Sequence, residues 1–280
     1  MDTQKNIFEL ERRIDLKKEY QTLILEMSEY YFEKCAFGRI SLRGLLEETI
    51  AAWPYRQAAN SLASFAERHG FSFDEPSDDS EIILCLELII NLLYYSPEFE
   101  RVMRTKAIFG YDFLNVNRVN DKCTRCIEDI TFILEQINMK IREQRTEGSV
   151  PQFFITKRDV DVDITIESVP ELKDIILSYL DIRNSNDIDT KRQILKRIAD
   201  YLEPQRKKYQ GIEGYKGLCD DCFAVFNGAF IRHNNKNQWL MSESEYMELY
   251  DQTFKSAIHL MQYDAVKMYK DRVAVIKGSR

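Results

Sequence analysis

Residues 120–145 read NDKCTRCIEDITFILEQINMKIREQR. Ile127, Ile130, Leu134, Ile137 and Ile141 return every three or four positions. That is the period of an amphipathic helix, and it predicts one long helix over Asn120–Arg145. The same period recurs in both directions. Toward the N-terminus, residues 5–37 carry Ile7, Leu10, Ile14, Tyr20, Leu23, Met27, Tyr30 and Tyr31 at helical steps. Two shorter helices, Leu42–Ala52 and Tyr55–His69, are expected on either side of Trp53-Pro54, because a proline ends or kinks a helix.

The run Ile82–Tyr95 is the most apolar in the chain and is interrupted by Glu87 and Asn91. It is short and polar for a bilayer span and reads as a buried helix, so no membrane contact is expected. A second helix is expected over Pro97–Lys106, then a break at Gly110–Asn117. Toward the C-terminus the period changes. Phe153-Phe154-Ile155, then Val160, Val162, Ile164 and Ile166 in alternation, flank Lys157-Arg158-Asp159. A two-residue alternation is the mark of a strand, so a β-hairpin is expected here. Ser168-x-x-Glu171 and Ser242-x-x-Glu245 have the form of capping boxes and predict helix starts. Asp189 is expected to cap a helix running to Leu202.

The fold expected from these patterns is mainly α: a multi-helix bundle with one small β-hairpin near residues 152–167. Two lobes are expected, 1–115 and 116–280. The chain of 280 residues has only 10 Gly and 6 Pro, which suits long helices. Its 46 acids exceed 39 bases, giving a net charge of −7. That balance argues against a dedicated duplex-DNA binder, although a local basic patch stays open. The N-terminal MDTQKNIFELERR has no secretory character, so a cytoplasmic location with reduced cysteines is expected.

Three groups of residues could carry chemistry. Cys123-x-x-Cys126 and Cys219-x-x-Cys222 could bind zinc or act as redox dithiols. Both pairs also share helix stripes with Ile130 or Phe226, and reduced cysteine is a good core residue. Core packing is therefore expected, with no metal and no cofactor. The second group is Arg232-His233-Asn234-Asn235 at a helix end. Arg can hold a phosphate and His can move a proton near neutral pH; the same residues are good helix terminators. The third is the basic set Lys191, Arg192 and Lys196 on one predicted helix, either a binding face for an acidic partner or a solvated surface. No HExxH, phosphate-binding GxxxxGK[ST], strand-associated GxGxxG or GxSxG motif occurs.

The stretch from about Asn120 onward, through KRQILKRIADYLEPQR, FNGAFIRHNN and ESEYMELYDQTF, resembles uncharacterised bacterial helical proteins. More loosely it is similar to abortive-infection proteins with HEPN-type helical domains. The resemblance implies phage defence and RNA as a partner, with Arg232 and His233 catalytic and Asn234 and Asn235 binding. In that family an Arg precedes a His by four to six residues; here His233 follows Arg232 directly. Whether the chain is an enzyme stays open. The alternative is a non-catalytic interaction or scaffold protein, joining a protein partner or a second copy of itself through its aromatic-rich helices.

Overall fold

The computed structural model describes residues 14–34, 38–105, 114–145, 148–184, 186–232, 238–263 and 275. It is mainly α-helical, as expected. The chain divides into two compact units, Met1–Lys157 and Arg158–Arg280. The division falls after the second hairpin and not near residue 115, because the helix following that break packs against the first unit's central helix.

The first unit contains α1 (Leu16–Glu29), β1 (Tyr31–Lys34), β2 (Gly38–Ser41), α2 (Leu42–Ile50), α3 (Leu62–Arg68), α4 (Asp79–Thr105), α5 (Val116–Gln136), β3 (Met139–Gln144) and β4 (Gln152–Lys157). Its axis is α4. Ile82, Cys85, Leu86, Leu88, Ile89, Ile90, Leu92 and Leu93 are all buried, so this helix is apolar on nearly every side. α1, α2, α5 and β4 surround it. By length and composition, Asp79–Arg101 could cross a membrane, but 72% of that window is buried inside the structure. The helix does not stop before Pro97, where two helices were expected. Ser96, Phe99 and Glu100 around the proline are buried, and packing carries the helix past the backbone hydrogen bond that proline removes.

Strand formation differs from the expectation in three places. A hairpin, β1–β2, follows α1, with Phe32 opposite Ile40. Tyr30 and Tyr31 therefore leave the helix assigned to residues 5–37. Phe32 is buried and meets Tyr30 edge-on at 5.1 Å, a gain that helical continuation would forgo. The second hairpin pairs β4 with β3, so Phe153 lies opposite Glu143 and Ile155 opposite Ile141. The long helix proposed to Arg145 thus ends at Gln136. Asn138 turns the chain with a left-handed φ of 57°, a conformation asparagine tolerates. Residues 160–166, expected as a strand, form a helix instead: α6, Val160–Ser168. Asp159 caps it, accepting hydrogen bonds from the backbone N–H of Asp161 (3.0 Å) and Val162 (3.1 Å). Asp161 and Asp163 in the first turn suit the positive end of the helix dipole. Capping chemistry outweighs the β-branched alternation.

The second unit continues with α7 (Lys173–Leu180), α8 (Ile188–Leu202), α9 (Arg206–Gln210), α10 (Lys216–Gly228) and α11 (Glu243–Met261). Ser168 does not cap α7; its hydroxyl donates back to Ile164 O, and a 3-10 turn at Pro170–Leu172 intervenes. α8 is capped by Asp187, two residues before the expected Asp189. The Ser242–Glu245 capping box is present as expected. The core lies among α7, α8, α10 and α11, where Tyr179 stacks on Phe254 at 4.0 Å.

Candidate functional site

The expected Arg-His-Asn-Asn group is only partly described. His233, Asn234 and Asn235 lie outside the described residues. Arg232 follows the end of α10, where the left-handed φ of Phe230 reverses the chain and Arg232 N–H donates to Phe226 O at 2.9 Å. Its guanidinium is 18% exposed and turns toward α8 and its C-terminal turn. There it donates to Glu203 Oε2, and its Nε lies 3.7 Å from Asp200 Oδ1. Two carboxylates therefore occupy the group that a substrate phosphate would have to reach. In this geometry Arg232 fastens the end of α10 to α8.

The basic set on α8 is drawn inward in the same way. Lys191 is buried, and its Nζ donates to Asp251 Oδ1 at 2.7 Å while lying 5.2 Å from the Tyr179 ring centre. The Tyr179 hydroxyl donates to the same carboxylate oxygen at 2.8 Å. Burial, reinforced by the Asp251 charge, pushes the Tyr179 phenol above its ordinary range, so it remains a donor. Arg192 donates through Nε to the Tyr250 hydroxyl (3.1 Å) and through Nη1 to Asp189 (2.9 Å). Tyr250 in turn donates to Ala229 O at 2.7 Å. Lys196 alone of the three is exposed. These contacts join α7, α8, α10 and α11 rather than line a binding face. Lys191→Ala should lower stability by about 2 kcal/mol in a urea titration, below the usual 3–5 for a fully buried pair because Asp251 is half in solvent. Lys191→Met, which restores the apolar stem, should cost less than half of that.

Both cysteine pairs lie on the buried faces of helices, Cys123 and Cys126 on α5, Cys219 and Cys222 on α10. Burial pushes the thiols of Cys123, Cys126 and Cys222, and that of Cys85 on α4, up to about 12. They are therefore protonated near neutral pH, which suits core packing and opposes thiolate ligation. Among the described residues no group of three or more His, Cys, Asp or Glu is placed to hold a metal ion.

Two surface features escaped the reading of sequence. One is the segment before α11, where Trp239 and Leu240 are presented to solvent; Leu240 is 92% exposed. The other is the outer face of α5, where Arg118, Lys122 and Arg125 gather beside Tyr30 around a concavity of about 200 Å³ that also includes Asp121. The signal for the second was present as cations spaced four and three residues apart, on a flank of α5 about a quarter turn from its apolar stripe. Comparison of the chain with protein-family models, with curated proteins and with solved structures found no match.

Proposed function

We propose that this chain is a non-catalytic interaction protein that docks a protein partner through the Trp239–Leu240 projection. The carrying observation is that these two apolar side chains are exposed on a backbone tied down at several points. Trp239 N–H donates to Gly228 O at 2.8 Å, and Gln238 Nε2 donates to Asn227 O at 3.0 Å. Gln238 Oε1 accepts from Phe230 N–H at 2.7 Å, and Tyr246 donates to Trp239 O. The indole lies over Gly228, where a Cβ would come within 2.6 Å of a ring carbon, so only glycine lets it seat. Leu240 is left pointing into water by a segment that has already lost its conformational freedom.

An apolar group held in place costs little further ordering when a partner covers it, and tryptophan is enriched among residues that dominate interface energies. The exposed pair Val160 and Ile164, one helical turn apart on α6, adds a second apolar strip to this unit. The RNA-directed defence reading stands second, because it needs the Arg232 guanidinium that Glu203 and Asp200 engage.

Light scattering and affinity capture of wild type against Leu240→Asp test the proposal. Because Leu240 is so exposed, the variant should change stability by less than about 0.5 kcal/mol. Wild type is expected to self-associate or to hold a defined protein partner, and the variant to weaken that association at least about tenfold, as loss of an interface anchor does. A wild type that stays monomeric and captures nothing, or a variant that associates as well as wild type, removes the idea.

A further inference from the structure

We propose that the outer face of α5 from Arg118 to Arg125, with Tyr30 at its edge, binds successive phosphates of a single-stranded nucleic acid. Positions 118, 122 and 125 fall within a narrow arc of the helix and span about 10 Å along its axis. The face is fixed in orientation, because Val119, Cys123, Cys126 and Ile130, about a quarter turn away around the helix, are buried. Arg118 and Arg125 are exposed. Neither guanidinium makes a hydrogen bond or ion pair among the described residues, and this is unusual here. The chain carries seven more acids than bases, and Arg43, Arg101, Lys191, Arg192 and Arg232 all meet carboxylates. Asp121 is the single acid lining the concavity, so three cations face one carboxylate.

The aromatic ring adds a second element of recognition. Lys122 Nζ lies 4.6 Å from the Tyr30 ring centre, and Tyr30 is itself partly exposed. An aromatic face bordering a line of cations is the arrangement that single strands use: bases stack on the ring while the backbone follows the charges. Guanidinium forks match phosphate oxygens two at a time. A single phosphate needs no more than one or two of these groups. Three of them spread along about 10 Å suit consecutive phosphates of one strand, whose rise is about 3.4 Å per nucleotide.

The test uses the full chain and a fluorescein-labelled oligouridylate, read by anisotropy at low and moderate salt, with inorganic triphosphate as competitor. Wild type should bind, and log K should fall against log salt with a slope of about −2 for three phosphates. Arg118→Gln with Arg125→Gln should weaken binding more than about tenfold and bring the slope to about −0.7. Tyr30→Leu should weaken binding severalfold and leave the slope unchanged, since it removes stacking and not charge. Lys196→Gln with Arg197→Gln, on exposed positions of α8, should leave binding as it is. Circular dichroism of each variant shows whether it has folded. The proposal fails if wild type does not bind the oligonucleotide at low salt, or if the folded α5 double variant binds as wild type does. Triphosphate competing as well as the oligonucleotide, phosphate for phosphate, overturns the assignment to a strand.

Discussion

Raising the pH from 8 to 10 is expected to destabilise the first unit more than the second. Cys85, Cys123 and Cys126 belong to the first and Cys222 to the second, each with its thiol pushed up to about 12 by burial. A free thiol titrates near 9, so between about 9 and 12 the unfolded chain has lost protons that the folded chain keeps. The stability contributed by the buried neutral form is complete below about 9 and is lost as pH rises toward 12. Each thiol raised that far costs about 1.4 kcal/mol per pH unit in that window, so the three of the first unit together outweigh Cys222 and Cys219 of the second. Tyr20 and Tyr179, whose phenols are also raised by burial, add a loss of the same sign in each unit at still higher pH. Urea titration at the two pH values, with limited proteolysis to report each unit, measures the difference. Cys123→Ala with Cys126→Ala should remove most of the first unit's pH dependence. Equal losses in the two units would refute the assignment.

Asn91→Leu should destabilise the first unit by about 3 kcal/mol although it keeps the side chain's volume. Asn91 lies in the buried interior of α4 and bonds both backbone groups of Phe153 that face away from β3. Its Oδ1 accepts from Phe153 N–H at 2.9 Å, and its Nδ2 donates to Phe153 O at 2.7 Å. Glu87, one turn earlier, accepts from Ile155 N–H at 2.9 Å. Leucine fills a similar volume but leaves a donor and an acceptor buried without partners, at about 1–3 kcal/mol each. Urea unfolding gives the magnitude. Hydrogen exchange should show protection lost first in β4, and unchanged protection there would mean that the side chain does not hold the strand.

The helical character of the chain was legible because apolar period survives any rearrangement of neighbours. α8, the start of α11 and the bodies of α4 and α5 fall where the spacing of Ile, Leu, Phe and Tyr puts them, although α4 runs on through Pro97 and α5 begins at Val116. The strands were less legible, because local pattern and long-range pairing disagreed. Val160–Ile166 has the alternation of a strand, yet Asp159 and the acids after it favour a helix start. Met139–Gln144 follows a helix without a glycine or proline to mark the change, and only Asn138 hints at it. Glu87 and Asn91 were visible as interruptions in an apolar run, but their partners are more than sixty residues away. Of the basic candidates, the pattern placed Lys191, Arg192 and Lys196 on one helix, where α8 carries them. It could not show that Asp251 and Tyr250, near the other end of this unit, would turn the first two inward.

The side-chain bonds from Asn91 and Glu87 to β4 have a consequence for solubility. A two-stranded ribbon ordinarily offers unsatisfied main-chain groups along its outer rim, and such rims template the addition of foreign strands and the growth of fibrils. Here the rim at Phe153 and Ile155 is already occupied from within the same chain. Substitutions that strip these two residues from α4 should therefore do more than loosen the fold: they would uncover an aromatic β-segment, QFFIT, able to recruit its own kind into amyloid-like aggregates.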